Sequence, residues 1–297
     1  MDLKKPLEFP EQINKLKEHN VIIEDEEYAL DVLSKINYYR FSGYALQFRK
    51  EPDNSDLKDG VTFEHIYHIY LFDEAMRHVC RKYLEKVEIF YKTQISHYFS
   101  LKKCFEPPYD QHYDENNYYY KQGYSEVMDS FQKERNYYKD SLIVKHHSEK
   151  YSNKMPLWVM FELMSFSNVS KFYGCLYFSE QELIARAVGT GIRTLENHLH
   201  CLSVLRNKCS HAARMYNTGF YPPARLSSRF YRSYPSVRND SLFAYILVLL
   251  RRLLDKKDKE NLVKDVSKII DDFRDSIDLM LIGFPENYLD ILNIYKR

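Results

Sequence analysis

Glycine and proline are scarce, eight and ten among 297 residues, which suits helices rather than turns. Cysteine is also sparse. The five thiols are odd in number and form no C-x-x-C pair, so no zinc site is expected, and a reduced cytoplasm is the simple reading. No HExxH, Walker loop or GxGxxG occurs, and neither metal nor cofactor is expected. The opening MDLKKPLEFPEQ lacks an apolar run, so no signal peptide is expected. The longest apolar run, Leu242–Leu250, has nine residues and closes on Arg251 and Arg252, too short for a bilayer and right for a core helix. No internal repeat and no period-two strand stands out. The expected class is all-α. The whole chain, 1–297, reads as one domain, with an N-terminal helical part over about 1–104, an inserted Tyr-rich segment over about 105–154 and a core over about 155–297.

One absence is local. From Asn197 to Asn239 there is no Asp or Glu, while Arg206, Lys208, Arg214, Arg225, Arg229, Arg232 and Arg238 all fall inside. The chain's formal charge is +1, so the remaining residues sum to −6 against these +7. A polyanion is the natural partner of such a segment. The alternative is a basic face satisfied by acids elsewhere in the fold.

Inside that segment, 193–217 reads as a helix with Leu195, Leu199, Leu202, Cys209 and Ala213 on one stripe. Arg206 interrupts the stripe, and a buried guanidinium needs a partner or a task. Asn207 follows it and His211 lies five residues on. Those five residues rotate about 140° on an ideal helix, so Arg206 and His211 diverge unless the helix ends there or two copies meet. Downstream, Phe220, Tyr221, Phe230, Tyr231 and Tyr234 interleave with arginines. That suits a single strand of nucleic acid, and equally a loop packed onto the bundle.

Elsewhere the pattern predicts a short helix opened by Pro10, two abutting helices over 24–49 and a long helix over 63–102 capped by Thr62. At about 60 Å the long helix is expected to kink or break. His65, His68, His78 and His97 on it read as solvated rather than ligating. Two helices are predicted near 124–135 and 136–147, and His146 and His147 are discounted as a site because neighbours on a helix do not face together. Pro156 opens one helix through 176, with Trp158 in the core. Ser179 to Glu182 reads as a capping box. The chain closes with helices over 241–254, 259–282 and 286–295.

An Arg and a His beside a polyanion surface suggest metal-independent RNA cleavage, the His moving protons near neutral pH and the Arg holding phosphate. The spacing itself is weak, since Arg193–His198 repeats it. A two-fold dimer would supply a second His.

Three blocks carry a resemblance. INYYRFSGYALQFR (36–49), PLWVMFELMSFSNVSKFY (156–173) and LRNKCSHAARMYN (205–217) resemble those of Abi-like proteins of the AbiD/AbiF abortive-infection type, within the wider HEPN group of helical ribonucleases; Asn168 stands where a Gly is common. The resemblance implies a HEPN-type helical bundle with additional helices, a homodimer, and metal-independent endoribonuclease action in phage defence or growth arrest. It implies Arg206 and His211 as the catalytic pair with Asn207 beside them, and a structured noncoding RNA as a candidate guard. Arg214 and Asn217 match the block, with RNA contact and structural support both open. Lys208, Arg225, Arg229, Arg232 and Arg238 complete the candidate RNA-binding set. Tyr39, Arg40 and Tyr44 read as core or as braces of the site. The runner-up readings are a non-catalytic RNA-binding protein and a protein-interaction scaffold.

Overall fold

The structure, a computed structural model, describes residues 3–51, 53 and 55–296. Its helices are α1 (Phe9–Glu18), α2 (Glu26–Lys35), α3 (Tyr38–Ala45), α4 (Phe63–Lys103), α5 (Lys121–Tyr137), α6 (Leu142–Tyr151), α7 (Leu157–Leu163), α8 (Phe166–Cys175), α9 (Phe178–Ala187), α10 (Ile192–Ser210), α11 (Ser228–Ser233), α12 (Leu242–Arg252), α13 (Lys256–Asp272) and α14 (Tyr288–Tyr295). Among the described residues only isolated bridges occur, and no strand, so the fold is all-α as the composition predicts. Among them, no helix is long and apolar enough to cross a membrane.

α4 organises the rest. The Thr62 side chain accepts the His65 N–H at its start, as the sequence predicts. The expected break does not occur: the helix runs uninterrupted for 41 residues. No Gly or Pro falls within it, and α3, α7, α9, α10 and α13 pack along its length. The apolar run of α12 lies in the core, with Leu242 through Leu250 all fully buried.

Four local expectations are corrected. The helix predicted from Pro156 is two, α7 and α8. Met164 is extended, and Ser165 caps α8 by accepting the Asn168 N–H, so a local cap ends the first helix. Trp158 is not core but 57% exposed, on the outer face of α7. The capping box before α9 does not form. The Ser179 hydroxyl donates to Glu180, Glu182 pairs with Arg186, and the cap position falls to Tyr177. The helix predicted over 259–282 ends at Asp272, with a separate turn at Leu279–Ile282.

The Tyr-rich segment packs down rather than standing apart. Tyr118 is fully buried, stacked between Phe99 of α4 and Tyr124 of α5. The backbone N–H groups of Tyr119 and Tyr120 donate to the Cys175 carbonyl at the end of α8. All five cysteines are free thiols.

Candidate functional site

α10 and the loop after it run alongside α4 in the opposite direction. Arg206 meets Glu88, the Cys80 thiol lies beside that of Cys209, Arg77 donates to the Ala213 carbonyl, and the Met215 N–H donates to Asp73. The stripe read from the sequence faces this seam, with Leu195, Leu199 and Leu202 fully buried.

The partner that Arg206 needed is Glu88. Its Nε lies 3.3 Å from Glu88 Oε2, with a third of the Arg206 side chain still exposed. Glu88 is shared, since Lys92 approaches its other oxygen at 3.1 Å. The Asn207 amide donates to the Ser167 hydroxyl of α8 at 2.9 Å, which ties the motif to a second helix.

α10 ends at Ser210, one residue before His211. His211 is the exposed cap residue. Its N–H donates to the Asn207 carbonyl at 3.0 Å and the Ala213 N–H to the Lys208 carbonyl at 2.9 Å, a Schellman-type closure. Ala212 takes φ +50°, a left-handed conformation that costs a non-glycine residue on the order of 1 kcal/mol. Arg40 of α3 holds it there by donating to the Ala212 carbonyl.

The loop is then anchored by a buried carboxylate that sequence reasoning passed over. Asp73 accepts from the Tyr44 hydroxyl at 2.7 Å, Arg77 at 2.8 Å, Met215 N–H at 2.9 Å and Tyr216 N–H at 3.0 Å. Burial pushes its carboxyl above the ordinary range, and these donors oppose that shift. The available signal was an Asp between Phe72 and Met76 in the apolar ladder, four residues before an Arg. Tyr44 is therefore core and brace at once, Arg40 is a brace, and Tyr39 is 86% exposed.

The candidate RNA-binding residues separate into two groups. Lys208 is turned inward, with its ammonium 4.8 Å from the centre of the Phe220 ring, and burial lowers its pKa. Arg214 donates to the Gly43 carbonyl beside the Tyr44 ring. A Cβ on Gly43 would meet the Arg214 guanidinium at 3.3 Å, so the guanidinium packs closely against this glycine. Asn217 is exposed at φ +49°, a conformation Asn tolerates well. Arg225, Arg229, Arg232 and Arg238 are exposed, while Phe220 and Phe230 of the same segment are buried. The loop thus packs these two rings inward and turns these arginines outward, together with Tyr221, which is 79% exposed. Among the described residues, Arg206 and Arg238 of the acid-free segment form ion pairs, the latter with Asp240 at 3.6 Å.

The rival pair separates cleanly. His198 is buried, with Nε2 against the Arg225 carbonyl at 2.9 Å and Nδ1 accepting from Arg252 at 2.8 Å. Burial first, and then Arg252, push its pKa down to about 3. It is a structural, neutral imidazole, whereas His211 faces solvent. His147 likewise turns inward, onto the Ile143 carbonyl. Among the described residues, no group of three His, Cys, Asp or Glu side chains is placed to hold a metal ion.

No curated protein matches the chain. No solved structure matches it either. A family model does, described as Abi-like protein, over residues 31–217. That span runs from α2 through α10 to the anchored loop, more than half of the sequence, and the chain belongs to the Abi-like protein family.

Proposed function

We propose that the protein is an RNA-binding, metal-independent endoribonuclease of HEPN type that acts in phage defence by abortive infection. The observation that carries this reading is the contrast at the end of α10. Arg206 is half-buried and held by Glu88, while His211, five residues on, is released into solvent by the end of the helix. In this reading the ribose 2′-hydroxyl attacks the adjacent phosphate, His211 takes or returns the proton, and Arg206 offsets the charge that develops on the phosphate. A homodimer pairing two such ends would provide one His for each proton transfer. Family membership supports the defence role. A structured noncoding RNA on the same basic surface would act as guard.

The test is His211→Ala. The variant is expected to lose cleavage of single-stranded RNA while retaining most RNA affinity, because affinity rests on Lys and Arg. Undiminished cleavage would remove His211 from the chemistry. The Arg206–Glu88 pair favours a second reading, in which the guanidinium is neutralised and the protein binds RNA without cutting it. In that case neither wild type nor variant cleaves, and both bind.

A further inference from the structure

A cleft of about 920 Å³ opens beside the anchored loop, walled by the N-terminal segment, α1, α3 and residues 213–214. Among the described residues its lining includes Lys4, Lys5, Lys15, Arg40, Arg49 and Arg214, and no Asp or Glu. Among the described residues, three acids pair with groups of this wall. Glu11 is 3.9 Å from Lys5, Glu18 is 2.9 Å from Lys15, and Asp56 is 3.3 Å from His19. These pairs are largely exposed and weak, so a phosphate can displace them. Arg40 and Arg214 donate to the carbonyls of Ala212 and Gly43, which fix the guanidinium groups without neutralising them. The acid-poor basic surface thus extends beyond the segment that the sequence singled out, onto elements far away in the chain.

One further feature points to the kind of anion. Tyr38 and Tyr39 both line the cleft, the latter 86% exposed, so flat faces on which a base can stack stand beside the cations.

We infer that this cleft holds a strand of RNA, its phosphates on the lysines and arginines and a base against the Tyr39 ring. The inference rests on the RNA reading above and gives it a location: the strand enters along α1 and α3 and leaves past Ala213 toward His211.

The experiment is fluorescence anisotropy with a labelled single-stranded RNA oligonucleotide, in the His211→Ala background so that the probe survives. Lys4→Glu with Lys5→Glu is expected to weaken RNA binding about tenfold at low salt. It should also make the log–log salt slope shallower by about 1.4, the contribution of two phosphates on a single strand. Lys257→Glu with Lys264→Glu, exposed in α13 and outside the cleft, is expected to change affinity less than about twofold. Equal weakening by the two lysine pairs, or no RNA binding at all, overturns the cleft. RNA binding that depends on Lys4 and Lys5, in a protein that never cleaves, keeps the cleft and removes the nuclease. Cleavage by a wild-type protein whose cleft substitutions change nothing does the reverse.

Discussion

Asp73 Oδ2 accepts the backbone N–H of Met215 at 2.9 Å, joining α4 to a loop 142 residues away in the chain. With Tyr216 N–H, the Tyr44 hydroxyl and Arg77 on the same carboxylate, the bond fixes the segment that carries the end of the motif. Asp73→Asn leaves the buried Arg77 charge without its counter-ion, a loss worth about 3 kcal/mol or more. A urea denaturation midpoint is expected to fall accordingly, and proteolysis near Arg214 to accelerate. A loss below about 1 kcal/mol would show that Arg77 finds another partner and that the loop is held by other bonds.

The Arg206–Glu88 pair yields a prediction of opposite sign for binding. Glu88→Gln removes the carboxylate that competes with phosphate for the guanidinium. RNA affinity is expected to rise about threefold at low salt, with the gain fading as salt screens both interactions. Because Arg206 is partly exposed, stability should fall by no more than about 1 kcal/mol. Unchanged affinity would place Arg206 outside the RNA path.

Ala212 stores strain at the turn into the loop. Replacing it with glycine relieves the left-handed penalty and is expected to stabilise the fold by about 1 kcal/mol, less the extra entropy of the unfolded glycine. Thermal unfolding reads this directly. A lower melting temperature would mean that the Ala212 methyl group contributes more through packing than its backbone conformation costs.

His198 predicts a pH dependence. Its folded-state pKa is depressed to about 3, against an ordinary value near 6.5. Below pH 6.5 the unfolded chain takes up a proton that the folded chain refuses, so stability is present above that value and declines as pH falls toward 3. Between pH 7.5 and 5.5 this group alone removes about 1.4 kcal/mol. His198→Gln, which cannot titrate, is expected to flatten that part of the stability profile. An unchanged profile would show that other groups set it.

Much of this was legible in the sequence because helices report their own faces. The stripe over Leu195, Leu199 and Leu202, the Thr62 cap and the nine-residue core run of α12 follow from local spacing and hydrophobicity. Trp158 was misjudged because apolarity does not say which side of a short helix meets the core. The single helix drawn through Met164 and Ser165 failed because a serine that caps and a serine that continues look alike until the backbone turns. At the site, the motif residues were visible as a pattern, but their partners were not. Glu88, Ser167 and Asp73 lie 118, 40 and 142 residues from Arg206, Asn207 and Met215, and only packing brings such groups together. The basic cleft was hidden for the same reason, since lysines of the first fifteen residues and Arg214 share no stretch of chain.

The unbroken length of α4 works as a ruler. Asp73 marks the level of the cleft, through Tyr44, and Glu88 marks the level of Arg206. Fifteen helical residues separate the two marks, about 22 Å along the axis. At 3.4 Å per stacked nucleotide that distance corresponds to about six nucleotides. On the RNA reading proposed above, a strand that reaches from the Asp73 level to Arg206 is expected to need about six nucleotides, so the rise of a single helix sets the length that shortened oligonucleotides would reveal.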